Sequence, residues 1–268
     1  MITAKESGNW YDKDGNPVYK QIVQSGPNKG NETDTTLRHA RKLNLAVGTT
    51  KILSVPSKPQ LEIWKQNQLL LAALTMERKL NESEDNYIKR IVEDSKEQGK
   101  EAALQGTLIH TSVEEYMMSG EHLAIEGHKE ICEAVQKAIY EKYGKTWIHE
   151  KSFTNRKYGY GGKVDLHNEM CVGDIKSKEF NKVDGKVVNF KGKGINLAYD
   201  ENGMQLAAYK RGLGLAVGAT TFNIYVSRNI PGIIHIHEWT LEEDVRHWEM
   251  FKLLLAYWKL DSNYEYVD

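Results

Sequence analysis

Apolar positions follow two regimes along this chain, helical between Pro56 and Gly144 and alternating from Trp147 onward. Leu61, Ile63, Trp64, Leu69, Leu70, Leu71 and Leu74 follow Pro56 and Pro59 so densely that they predict a well-buried helix. A second helix is expected from Ser83, with Ile88, Ile91 and Val92 as its apolar positions, weakening at Gly99. The helical pattern resumes through Ala102, Ala103, Leu108, Val113 and Tyr116 and stops at Gly120, and another helix covers roughly 122–143, ending at Gly144.

Alternation then predicts three successive strands at 147–154, 160–166 and 170–177. Residues 180–190 form a hairpin pattern, because Asp184-Gly185 readily adopts the positive φ angles of a type I′ turn. Asp200 or Asn202 is placed to cap a helix through Leu206, Ala207, Ala208 and Leu213, followed by strands at 220–227 and 233–239. Thr240-Leu241-Glu242-Glu243 is a capping box for a final helix to about Leu260, whose Trp248, Phe251 and Trp258 are expected in the core. Residues 1–35 are rich in Gly, Asn, Asp and Lys, with turns at Asp14-Gly15-Asn16-Pro17 and Gly26-Pro27, and read as loop or an irregular hairpin. The order predicts an α/β fold with a mixed sheet flanked by helices. One domain is expected over 36–268, mainly helical to 145, with the sheet core and C-terminal helix from 146.

With 268 residues, 40% hydrophobic, the chain can bury one sizeable core. Its net charge of −1 excludes an all-round basic coat but permits a local basic groove. Two cysteines, Cys132 and Cys171, cannot build a disulfide framework or a four-cysteine cluster, and a reducing, intracellular, cytoplasmic setting is expected. The N-terminus lacks the pattern of a secretory signal, and no apolar run reaches the roughly 20 residues that span a bilayer, so no membrane association is expected. Gly159-Tyr160-Gly161-Gly162-Lys163 lacks the spacing of a phosphate-binding loop, which argues against a nucleotide cofactor.

The candidate chemistry sits in the strands. Asp165 and Asp174 lie near the ends of two successive strands, and two such carboxylates suit a hard divalent cation that also binds substrate phosphate. Lys176 shares a strand face with Asp174, where it can neutralise phosphate charge; taken alone, the pair is more often a surface salt bridge. His110 and Glu114 share a helix face, as do Gln205 and Tyr209, and each pair alone reads as an ordinary structural contact. Glu150 is either a further acidic contributor or a plain strand carboxylate. His235 and His237 share a strand face without an evident third ligand. Lys178, Lys182, Lys186, Lys191 and Lys193 are interleaved with Phe180 and Phe190, which suits either a flap over a nucleic-acid strand or a solvated hairpin with inward rings. Arg156 and Lys157 are another candidate phosphate contact.

Together, Gly106-x-x-x-His110, Gly161-Gly162-x-x-Asp165, Asp174-x-Lys176 and Gln205-x-x-x-Tyr209 occur in the order that resembles the RecB-type branch of the PD-(D/E)XK nucleases. Thr49-Thr50-Lys51-Ile52-Leu53 and Leu61-Glu62-Ile63-Trp64 extend the resemblance upstream, so that it covers roughly 47–212. The resemblance implies a restriction-endonuclease-like fold and a Mg²⁺ or Mn²⁺ site made by His110, Asp165, Asp174 and the carbonyl of Ile175. Lys176 is then the catalytic lysine and Gln205 with Tyr209 its supporting motif. From the basic residues themselves, Lys178, Arg156, Lys191 and Lys193 are the candidate nucleic-acid contacts. The four cysteines of the cluster-containing branch are missing, so no iron–sulfur cluster is expected. The implied activity is DNA exonuclease cleavage from single-stranded or duplex ends, in recombination, repair or phage DNA processing. A structure- or site-specific endonuclease, or a non-cleaving DNA-binding module, stays open, as does a homo-oligomer or a recombination partner protein.

Overall fold

We describe residues 10–268 from a computed structural model; the first nine residues of the irregular segment lie outside the described residues. In chain order the elements are β1 (Trp10–Tyr11), β2 (Lys20–Ile22), β3 (Glu32–Asp34), α1 (Leu37–Leu43), β4 (Ala46–Gly48), α2 (Thr49–Ile52), α3 (Pro59–Thr75), α4 (Glu84–Ser119), α5 (His128–Tyr143), β5 (Ile148–Asn155), β6 (Tyr160–His167), β7 (Cys171–Lys178), β8 (Asn181–Val183), β9 (Lys186–Val188), α6 (Asp200–Gly212), β10 (Thr220–Ser227), β11 (Ile234–Trp239) and α7 (Leu241–Asp261). Local signals account for many of these bounds. The Thr240 hydroxyl accepts from the Glu243 N–H at 3.2 Å while the Glu243 carboxylate accepts from the Thr240 N–H at 2.9 Å, the reciprocal cap that starts α7. Asp184 and Gly185 turn the β8–β9 hairpin with φ of 50° and 76°.

The seven-stranded sheet is mixed and helix-flanked, as expected. Its order is β1-β4-β6-β7-β10-β11, with β5 paired to the other edge of β6. β7 and β10 run parallel over their full length, joined by the α6 crossover. Each face carries its own core. On one, Ile109 and Val113 of α4 and Val135 and Ile139 of α5 pack against Ile175, Phe222, Ile224 and Val226. On the other, Leu206 and Ala207 of α6 and Trp248, Phe251 and Trp258 of α7 pack against Val172, Tyr160 and Tyr225. The N-terminal segment also enters the main sheet: β1 pairs with β4, and Trp10 meets Trp258 edge-on at 6.1 Å.

Three expectations need correction. The helix expected to be well buried, α3, is largely exposed: Ala72 is its one buried residue, and Leu70 and Leu74 are 61% and 82% exposed. α3 packs chiefly against α4, and a single helical neighbour covers only one stripe of a helix whose apolar residues are not confined to one face. The break at Gly99 does not occur, and α4 runs unbroken for 36 residues. A Cβ at Gly99 would lie 3.7 Å from the Trp64 ring of α3, an ordinary contact, so this glycine costs helix propensity without ending the helix. Finally, α5 begins at His128 rather than near 122, because Gly127 adopts φ 78°, outside the right-handed helical region.

Candidate active site

The site lies where the sheet forks. Along one edge of β6, β4 pairs at Tyr160 and Gly161, and β7 pairs only at Leu166 and His167. Between these contacts the edge of β6 is open, and β7 diverges from it with Asp174, Ile175 and Lys176 along the gap. The Ile175 N–H, instead of completing the ladder, donates to Asp165 Oδ2 at 2.8 Å. A cavity of about 530 Å³ opens here, lined among others by Tyr11, Tyr19, Thr49, His110, Glu150, Asp165, Ile175, Lys176, Lys178 and Tyr209.

Helix α4 brings His110 to the fork. Its Nε2 lies 2.7 Å from Asp165 Oδ2. This approach depends on Gly106, one turn earlier, since a Cβ there would stand 2.8 Å from the Ser177 hydroxyl of β7. Glu150 arrives from β5. It sits between the pairs His149–Leu166 and Lys151–Val164, directly across from Asp165, with φ at 53° and an ion pair to Lys163. His110, Glu150 and Asp165 each offer a ligand atom within 4.8 Å of the others. An imidazole and two carboxylates form a donor set that fits Mg²⁺ or Mn²⁺.

Asp174 faces a different set of partners. Its Oδ1 accepts from Lys176 Nζ at 3.0 Å and its Oδ2 from Asn223 Nδ2 at 2.8 Å. Lys176 Nζ also donates to Gln205 Oε1 at 2.9 Å, and Gln205 Nε2 donates to the Tyr209 hydroxyl at 2.8 Å. Tyr209 fits because Gly162 carries no side chain: a Cβ there would lie 2.7 Å from its ring. Burial, reinforced by the Asp165 charge, pushes Asp174 up to about 6 against the pull of Lys176. Burial opposes ionisation of Asp165 too, yet His110, Lys176 and the Ile175 N–H hold it below the ordinary carboxylate range. For Lys176, the two aspartates outweigh burial and raise its pKa, so it stays an ammonium. Burial, then the Asp174 charge, raises Tyr209 well above the usual phenol value, keeping it neutral.

The fork thus gathers His110, Asp165, Asp174, Ile175, Lys176, Gln205 and Tyr209. Of the four basic residues singled out as nucleic-acid contacts, only Lys178 lines the cavity, its ammonium 5.6 Å from the centre of the Tyr199 ring. Arg156 instead donates to the Lys13 carbonyl at 3.0 Å and pairs with Asp14 at 3.4 Å. Lys191 and Lys193 stand exposed in the turn after β9, where their N–H groups donate to Asn189. Phe180 is fully buried and Phe190 is 57% exposed, so the hairpin's rings divide between core and solvent. Glu114 acts electrostatically on His149, and His237 packs edge-on at 4.4 Å against Trp239. Sequence reasoning missed Asn223, Lys163, Tyr11 and Tyr19. For Asn223 a signal existed: it is the lone amide in the apolar run Phe222-Asn223-Ile224-Tyr225-Val226, and a buried amide needs partners.

No family model and no curated protein matches the chain. Among solved structures, one named "Putative exonuclease", from Eubacterium rectale, aligns with a TM-score of 0.35 and 13% identity over 73% of this chain and 68% of that one.

Proposed function

We propose that this chain is a divalent-metal-dependent deoxyribonuclease that hydrolyses phosphodiesters from free DNA ends. The observation that carries the reading is the juxtaposition, at one open sheet edge, of a hard-donor group (His110, Glu150 and Asp165) with a charged lysine held between Asp174 and Gln205. The motif order also implies Asp174 and the Ile175 carbonyl as ligands; Ile175 lines the cavity, while Asp174 turns its oxygens to Lys176 and Asn223 and stands outside the group of His110, Glu150 and Asp165. When bound, a divalent cation supplies Lewis-acid stabilisation of the phosphodiester and lowers the pKa of water. Lys176 offers an ammonium proton to the phosphate and offsets the charge that grows there. Gln205 and Tyr209 keep the lysine in one rotamer, so little reorganisation is needed at the moment of reaction. The Asp165 carboxylate stays ionised and unprotonated near neutrality, as a ligand must.

Action at ends is what the motif order implies, and the open cavity of about 530 Å³ has room for a strand end. Lys178, on the cavity wall, is the phosphate contact nearest the chemistry, and Arg156, Lys191 and Lys193, off that wall, serve flanking DNA. The test is digestion of end-labelled linear DNA and closed circles, single- and double-stranded, with Mg²⁺, Mn²⁺ or EDTA. Metal-dependent loss of linear substrates with circles intact is expected. Cleavage in EDTA, or full activity in both Asp174→Ala and Lys176→Ala, overturns the reading, and cut circles replace the exonuclease with an endonuclease.

A further inference from the structure

Asn223 is fully buried on β10, in parallel register with Asp174 of β7, so the two side chains stand side by side on the face that α6 covers. Its two amide atoms have partners of opposite kinds. Oδ1 accepts from the Trp239 indole N–H at 2.8 Å, and Nδ2 donates to Asp174 Oδ2 at 2.8 Å. An indole N–H can only donate, and an ionised carboxylate can only accept. The amide is therefore locked: flipping it would break both hydrogen bonds and set like against like at each end. The order continues on the far side of Asp174. Lys176 can only donate, so Gln205 must present Oε1 to it and turn Nε2 to Tyr209. Trp239, Asn223, Asp174, Lys176, Gln205 and Tyr209 thus form one directional chain through the core, with Lys176, 27% exposed at its side chain, where the chain meets the cavity.

We infer that Asn223, set by Trp239, is a positioning residue for the nuclease centre: it holds Oδ2 of Asp174 so that Oδ1 remains turned to Lys176. A chain of buried, mutually fixed hydrogen bonds orients a group within it more sharply than a lone pair does. Two of the three ammonium protons of Lys176 are taken up by Asp174 and Gln205, leaving one for a phosphate in the cavity. The inference rests on the proposed nuclease reading for its kinetic consequence, though not for its structural one.

Two variants test it, each compared with wild type at saturating Mn²⁺ and pH 8. Asn223→Asp is isosteric but replaces the donor by an acceptor. Trp239→Phe removes the N–H that sets the amide, together with part of the ring that packs against His237 and His247. Asn223→Asp is expected to lower kcat by about 10²-fold with KM within about threefold, as when one preorganised group is lost. Trp239→Phe should give a smaller fall in kcat, roughly tenfold, in the same pattern. A second readout needs no catalysis: labelling of Lys176 by an amine-reactive ester, followed by mass spectrometry, should become faster in both variants while lysines far from the fork are unchanged. If wild type proves not to be a nuclease, the function falls but the labelling still tests the chain. Unchanged Lys176 labelling in both folded variants overturns the positioning role. Should Asn223→Asp fail to fold, wild-type kcat and labelling in folded Trp239→Phe overturn it equally.

Discussion

The strand β10 and the helix α3 are both dense in apolar residues, yet they meet opposite fates. Phe222, Ile224, Tyr225 and Val226 of β10 are completely buried, while Leu70, Leu71 and Leu74 of α3 are more than half exposed. The difference is the number of neighbours. β10 lies between β7 and β11 with helices on both faces, whereas α3 rests chiefly on α4. Apolar density therefore reports what an element could bury; its surroundings decide what it does bury. The same contrast separates the fork, where Asp174, Lys176, Gln205 and Tyr209 hydrogen-bond one another, from the outward face of α3, where substitutions meet little but solvent.

The sharpest test of the contrast is at the fork. Lys176→Met, matched in length but uncharged, is expected to lower kcat by 10²–10³-fold, about 3–4 kcal/mol in the barrier, with the far-UV circular dichroism of wild type. Retained activity would remove the fork's special standing. Next, Ile224→Ala on β10 should cost about 2–5 kcal/mol in urea unfolding. Two glycines then probe crowding in opposite directions. Gly162→Ala sets a Cβ 2.7 Å from Tyr209 and 3.0 Å from Phe153 and should destabilise by about 1–3 kcal/mol while lowering kcat. Gly99→Ala, with only the Trp64 ring at 3.7 Å, should stabilise by about 0.5–1 kcal/mol; equal signs at the two sites would break the comparison.

Acid should separate the regions as well. Burial lowers the pKa of His128, which lies 2.6 Å from the Ser112 hydroxyl, and that of His167. Their folded-state values lie below the unfolded one, so the unfolded chain binds more protons in acid. The stability they contribute is complete above about pH 6.5 and declines as pH falls, by at most about 1.4 kcal/mol per histidine per pH unit. Melting temperature between pH 8 and 5 should drop accordingly, and Ser112→Ala at neutral pH should lower it by removing the partner of His128. The smallest effect belongs to α3: Leu74→Ser should shift unfolding by no more than about 0.5 kcal/mol. A large loss there would mean that α3 is covered in solution.

Much of this was legible in the residue pattern. The strands expected at 147–154, 160–166 and 170–177 lie within a residue or so of β5, β6 and β7, because half-buried strands alternate visibly and end at turn residues. The Asp184-Gly185 turn and the Thr240–Glu243 cap were legible for the same reason, each being contained in four residues. The order of His110, Asp165, Asp174, Lys176, Gln205 and Tyr209 along the chain also marked residues that the fold brings to one place. Glu150 stayed ambiguous because its placement opposite Asp165 depends on the register of β5 on β6. Asn223 went unnoticed because its partner is 49 residues away. Arg156 could not be placed from sequence, since a basic residue at a turn looks alike whether it faces open solvent or, as here, donates to the Lys13 carbonyl.

By itself the sequence determined the kinds of element, their order, and the supply of carboxylates, imidazole and lysine, since helix and strand periods and caps act over a few residues. Only the tertiary structure decided how the carboxylates divide, with Asp165 and Glu150 beside His110 and Asp174 turned to Lys176 and Asn223. That division arises at the fork between β6 and β7, from inter-strand register and from the close approach that Gly106 and Gly162 permit. Neither is a property of any short stretch of chain.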